Sequence, residues 1–114
     1  MTIQEYQKQV DEWIKKYGVR YFDELTNNAM LMEEVGELSR LMARVYGEQS
    51  FKHKDDELNA RENIKEEIAD IFFVLTCLAN QMDINLADCI EMNFSKKTNR
   101  DKNRHESNPK LSHE

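Results

Sequence analysis

Between residues 64 and 82 the apolar side chains recur at a spacing that fits a helix. Ile64, Ile68, Ile71, Leu75, Leu78 and Met82 fall on one stripe, widened by Phe72 and Ala79. Two carboxylates, Glu67 and Asp70, stand on or beside that stripe, three residues apart. Charged side chains are seldom fully buried unless they are paired or hold a metal, so their presence there needs a cause. Residues 30–45 repeat the pattern: Leu31, Val35, Leu38, Leu41, Met42 and Val45 read as a second helix, and Glu34 and Glu37 intrude from one side. Residues three apart on a helix are neighbours on its surface. Two such helices facing one another would form a pocket of four carboxylates.

The rest of the composition suits this. With three glycines and one proline among 114 residues there is little turn chemistry for many strands, and an all-α fold is expected. The length fits one domain with a modest core. No apolar run approaches the roughly 20 residues that span a bilayer, and the first ten residues are polar, so no membrane association and a cytoplasmic setting are expected. Cys77 and Cys89 lack metal-site spacing and fall within predicted helices; Cys77 reads as a small core residue. The formal charge is −6, with 22 acidic against 16 basic side chains. The body of the chain therefore lacks the basic footprint of a nucleic-acid binder, and no stable nucleic-acid binding is expected. An anionic small substrate would need cations to bridge it to the acidic pocket.

In chain order, Thr2 can cap a first helix, with Glu5 three residues on, and Ile3, Tyr6, Val10, Trp13, Ile14 and Tyr17 keep its period. Gly18 is expected to close it as a left-handed residue. The connection that follows carries Tyr21 and Phe22 and should pack on the body. A second helix is expected from Thr26 or Asn27 to Tyr46, stopped by Gly47; Gly36 inside it costs roughly 1 kcal/mol relative to Ala and allows close approach of another helix. Residues 48–63 are polar, first a loop and then a segment, 55–63, that can already be helical and leads into the third helix. That helix should end near Met82, and Asn85 should cap a fourth that carries Leu86, Cys89, Ile90 and Phe94. Residues 1–100 read as one helical domain and 101–114 as a basic, polar tail, partly disordered.

Four oxygen ligands suit a hard cation such as Mg²⁺ or Mn²⁺. Without a cation, carboxylates so placed would repel and take up protons. Taken singly, each Glu reads more simply as a solvated surface residue; the repetition on two apolar helices is what argues otherwise. Glu33 and Glu66, one position earlier, point more outward. A ferritin-like di-iron site would require Glu-x-x-His on its helices, and the histidines here are His53, His105 and His113, in the loop and the tail.

The paired signatures EEVGE at 33–37 and EEIAD at 66–70 resemble the E-x-x-E…E-x-x-D pattern of the MazG nucleotide pyrophosphohydrolases, of the all-α NTP pyrophosphatase superfamily. The likeness extends through GELSRL, IFFVLTCLANQMDINL and RDKNR, covers roughly residues 5–104, and is closest to the short, single-domain members. It implies a four-helix MazG-like fold with the site between the second and third helices. It further implies Mg²⁺ held by Glu34, Glu37, Glu67 and Asp70, with Glu37 and Glu67 in the catalytic step and Mn²⁺ as a possible substitute. The reaction implied is hydrolysis of a nucleoside triphosphate between its α and β phosphates, giving the monophosphate and pyrophosphate. Family members often carry a K…N…R arrangement after the last helix; Lys96, Asn99, Arg100 and Arg104 are the nearest equivalents here, read otherwise as a solvated charge run. Lys52 and Lys54 are weaker candidates.

For the base, Trp13, Tyr21 and Phe22 can stack on any nucleotide, although Trp13 on an amphipathic helix more often serves as core or subunit interface. Apolar residues left uncovered, notably Ile3, Tyr6, Val10 and Trp13, point to a homodimer or a homotetramer built as a dimer of dimers, as the family resemblance also implies. The competing reading is a non-catalytic helical module that binds a nucleotide or a protein through its acidic face.

Overall fold

Thr2 opens the chain as expected: its hydroxyl accepts from the Glu5 N–H at 3.0 Å and starts α1, Ile3–Trp13. In this computed structural model, which describes residues 1–111, α1 passes into one wide π-helical turn, Ile14–Gly18. The expected left-handed glycine is not found there. Gly18 has no positive φ; the strained position is Val19, with φ 70°. The wide turn delays the reversal by one residue, so it falls on a β-branched side chain, where it is costly.

Helix α2, Glu24–Tyr46, starts earlier than the apolar period suggests because Asp23 caps it, its carboxylate accepting from the Thr26 N–H at 2.8 Å. It ends at Gly47, where a Cβ would meet the Ala43 carbonyl oxygen at 2.5 Å, so no other residue fits without a shift. Gly36, by contrast, has nothing within 4 Å of where its Cβ would stand. Among the described residues, the close approach expected of another helix at that glycine does not occur. The polar 48–63 segment forms its own short helix, α3, Lys54–Leu58, before α4, Ala60–Gln81. The four expected helices are thus five, with the expected third as α4. Helix α5, Leu86–Asp101, is capped by Asn85, whose side chain accepts from the Asp88 N–H at 3.0 Å. Among the described residues there is no strand. The polar stretch after α5 continues as turns to residue 111; the last part of the expected tail, 112–114, lies outside the described residues.

Helices α2 and α4 form the main helix pair and run antiparallel. The start of α2 meets the end of α4 through Asn27, which is 4% exposed and donates to the Gln81 side chain at 2.8 Å and to the Phe22 carbonyl at 3.3 Å. Gln81 also donates to the Phe22 carbonyl. Helix α1 packs across α4, burying Val10 and Ile14 against Cys77, with Tyr6, Tyr21 and Phe73 around them. Val10 is therefore covered by its own chain, contrary to the uncovered face expected for it. Tyr21 joins the same junction: its hydroxyl donates to Asp11 at 2.6 Å and accepts from Asn80 at 3.0 Å.

The apolar stripe of α4 is less buried than its period suggests. Val74, Cys77 and Ala79 are buried, whereas Ile68, Phe72, Leu75 and Met82 are exposed. The reason is geometric: α1 covers the Val74–Cys77 side, and among the described residues α5 flanks the other side without covering it. What remains is an apolar groove of about 690 Å³ lined by Ile3, Tyr6, Phe72, Leu75, Met82 and Ile90. Helix α5 has no buried residue, and Ile90, Met92 and Phe94 on it are exposed. The radius of gyration, 18.3 Å, exceeds the roughly 13 Å of a compact domain of this length.

Candidate active site

The antiparallel pairing of α2 and α4 decides which acids meet. With Asn27 opposite Gln81, the third and fourth turns of α2 come level with the third turn of α4. Glu34, Glu67 and Asp70 accordingly converge, each offering an oxygen within 4.8 Å of the others. Glu34 and Glu67 are half-buried and Asp70 is exposed. Glu37 lies on the outer side of this triad, exposed, yet close enough to Glu67 to help raise the pKa of its carboxyl. Three of the four expected ligands therefore meet as a cluster, and the fourth adjoins it through Glu67.

The electrostatics are those of a site missing positive charge. Oε2 of Glu34 and Oε2 of Glu67 are buried and have no hydrogen-bond partner. Both are acceptors, so neither can satisfy the other until a proton or a cation lies between them. This holds the Glu67 carboxyl at a pKa of about 8: contact with the Glu34 carboxyl is the main cause, followed by burial and by contact with Glu37. Hard oxygen donors, orphaned in pairs and placed within a few ångströms, fit a divalent cation. Glu33 and Glu66 are exposed and outside the cluster, as their positions suggest.

The basic candidates lie elsewhere. Lys96, Asn99 and Arg100 are on the exposed face of α5, a helix that packs against α1, and Arg104 follows it. Arg100 and Arg104 both bind Asp101, at 2.7 and 3.2 Å, and hold its carboxyl down to about 2. None of the four joins the acid cluster within one chain. Lys54 pairs with Glu57 at 3.7 Å on the surface, and Lys52 is exposed.

One neighbour of the cluster was not singled out from sequence. Tyr6 of α1 stands near Asp70; burial, then Cys77, then the Asp70 charge raise its phenol pKa. Its apolar register hides this, since a tyrosine in a helical stripe reads as packing. Phe73, one turn beyond Asp70 on α4, meets the Trp13 ring edge-on at 5.7 Å.

The chain is similar to known proteins over most of its length. Residues 22–105 match the model of the MazG nucleotide pyrophosphohydrolase domain. The YpjD protein of Bacillus subtilis strain 168 is 39% identical over 103 residues, which cover 90% of this chain and 89% of YpjD. The crystal structure of a Bacillus-conserved MazG protein, a nucleotide pyrophosphohydrolase, superposes with a TM-score of 0.72 at 35% identity, covering 91% of this chain and 97% of that one. The crystal structure of YpjD from Bacillus subtilis gives 0.73 at 38% identity, over 89% and 97% of the two chains. Both acid pairs and the helices that present them fall within the matched region, and the chain belongs to the MazG nucleotide pyrophosphohydrolase family, a family of hydrolases.

Proposed function

We propose that this protein is a Mg²⁺-dependent nucleoside triphosphate pyrophosphohydrolase that converts an NTP or dNTP to the monophosphate and pyrophosphate. The observation that carries the reading is the orphaned oxygen pair of Glu34 and Glu67 within the Glu34–Glu67–Asp70 cluster. Glu34, Glu67 and Asp70 would hold the ion, with Glu37 completing the set from the adjoining turn. A divalent ion there supplies charge neutralisation for the triphosphate and for the pyrophosphate that leaves. The remaining chemistry belongs to the carboxylates. Water attacks the α phosphorus, the α–β bridging oxygen departs with pyrophosphate, and the water proton passes to a carboxylate. Glu37 suits that role, being exposed beside Glu67 and outside the tight triad.

Lys96, Asn99, Arg100 and Arg104 would contact phosphates if supplied from another copy of the chain, since in one chain α5 packs on α1 and these residues form no contact with the acid cluster. A homodimer, or a dimer of dimers, is the assembly this favours. The open groove between α1, α4 and α5 and the unburied α5 support it. We assign residues 1–100 to the catalytic domain and 101–114 to a polar tail. A cytoplasmic role in removing surplus or non-standard nucleotides suits the activity.

The test is release of pyrophosphate from a panel of NTPs and dNTPs, in Mg²⁺ or Mn²⁺ and in EDTA, for the native chain and Glu67→Gln. Equal amounts of pyrophosphate and monophosphate, lost in EDTA and in the folded variant, are expected. Turnover that survives Glu67→Gln would place the site elsewhere.

A further inference from the structure

Of the three aromatic side chains that could hold a base, the fold leaves one in position. Tyr21 is committed to Asp11 and Asn80 through its hydroxyl. Phe22 is exposed, but it lies where Gln81 grips its carbonyl, eleven positions along α4 from Asp70 and so about 16 Å from it at 1.5 Å per residue. Trp13 is different. Its partner Phe73 follows Asp70 by one helical turn, which puts the indole on the order of 10 Å from the acid cluster. That is the reach of a nucleoside from its α phosphate to its base.

The indole is also held without being covered. Phe73 meets it at 90° and Tyr17 at 51°, each at 5.7 Å, and Trp13 stays 49% exposed. Paired aromatic rings fix one another's orientation, and an oriented ring with open surface is a stacking surface. Tyr6, seven residues earlier on α1, lies close enough to Asp70 to feel its charge.

We propose that Trp13, braced by Phe73 and Tyr17, is the platform on which the substrate's base stacks while the acid cluster engages its phosphates. The proposal rests on the pyrophosphohydrolase reading. It names the recognised class as nucleotides with any stackable base. Stacking is tolerant of base identity, so discrimination among bases follows ring area, purines ahead of pyrimidines.

Trp13 is the chain's sole tryptophan, so its fluorescence reports on this site alone. A non-hydrolysable α,β-imido-NTP with Mg²⁺ should quench it saturably, and inorganic tripolyphosphate, which has no base, should not. Trp13→Ala should raise KM for NTPs and the analogue's Kd by about tenfold to hundredfold. Its kcat should change little, and Trp13→Phe should recover most of the loss. Tripolyphosphate, as an inhibitor, should bind native chain and Trp13→Ala equally. Native turnover with unquenched Trp13 would overturn the proposal and leave the reaction standing. Equal loss of tripolyphosphate affinity in Trp13→Ala, or a change of oligomeric mass with KM intact, would overturn it in favour of a structural or subunit-contact role. Quenching without any pyrophosphate release would retain the platform and reject the reaction.

Discussion

Glu34 and Glu67 face each other across α2 and α4, each with a buried oxygen that no donor reaches. An arrangement of this kind opposes folding unless a proton or a cation intervenes, and that makes it measurable.

With metal withheld, Glu67 keeps its proton to about pH 8 in the folded chain and loses it near 4.5 when unfolded. Between those values the folded state binds more protons, so its stability falls as pH rises. Thermal melts in EDTA from pH 4.5 to 9 should show this decline, Glu67→Gln should flatten it, and Mg²⁺ added at high pH should restore the native chain. A decline identical in Glu67→Gln would deny Glu67 the role.

Glu34→Gln and Asp70→Asn should each lower pyrophosphate release on the order of hundredfold or more, since each removes a charge from the cluster. Glu33→Gln and Glu66→Gln, outside the cluster, should leave it nearly unchanged. Steady-state kinetics on the four variants compares the two groups directly.

Asn27→Ala removes a buried amide that links Phe22, α2 and α4. The Phe22 carbonyl keeps the Gln81 amide as a donor, while the Gln81 side-chain oxygen loses the donor the structure gives it. The expected cost is about 1–3 kcal/mol, a drop of roughly 5–15 °C in Tm. Calorimetry checks it; a loss below 1 °C would mean that water replaces the amide.

Gly36→Ala should stabilise the chain by roughly 1 kcal/mol, because the added methyl gains helix propensity and meets nothing within 4 Å. A lower Tm would instead reveal another copy of the chain packed on that part of α2.

Thiol labelling should separate the cysteines. Cys89 is exposed, whereas Cys77 is 4% exposed and burial pushes its thiol up to about 11. One equivalent of a thiol reagent should be consumed at pH 8 and a second only on unfolding.

How far a sequence like this one can be read depends on whether the signal is local. The helices of the acid pairs were legible because apolar period and acid spacing both act within two turns. The start of α2 was misplaced because Asp23 caps it through a single side-chain bond, ahead of the apolar period. Gly18 was expected to take a left-handed turn that fell on Val19, since nothing in IKKYG announces a π-helical turn. The open half of the α4 stripe was read as core because periodicity shows that a face is apolar, not what covers it. Tyr6 and Phe73 escaped notice as neighbours of Asp70 because the crossing of α1 over α4 is a long-range fact.

The antiparallel pairing of α2 and α4 has a consequence for how such a chain can vary. A slip of one turn, about 5.4 Å, would set Glu34 against Ile71 or Asn63 in place of Glu67. The connector over residues 47–59 can lengthen or shorten with little effect, provided the alignment survives, because it contributes nothing to the cluster. A cation that binds only the aligned form would act as a proofreader of helix alignment, drawing mispaired chains toward the native register as it binds.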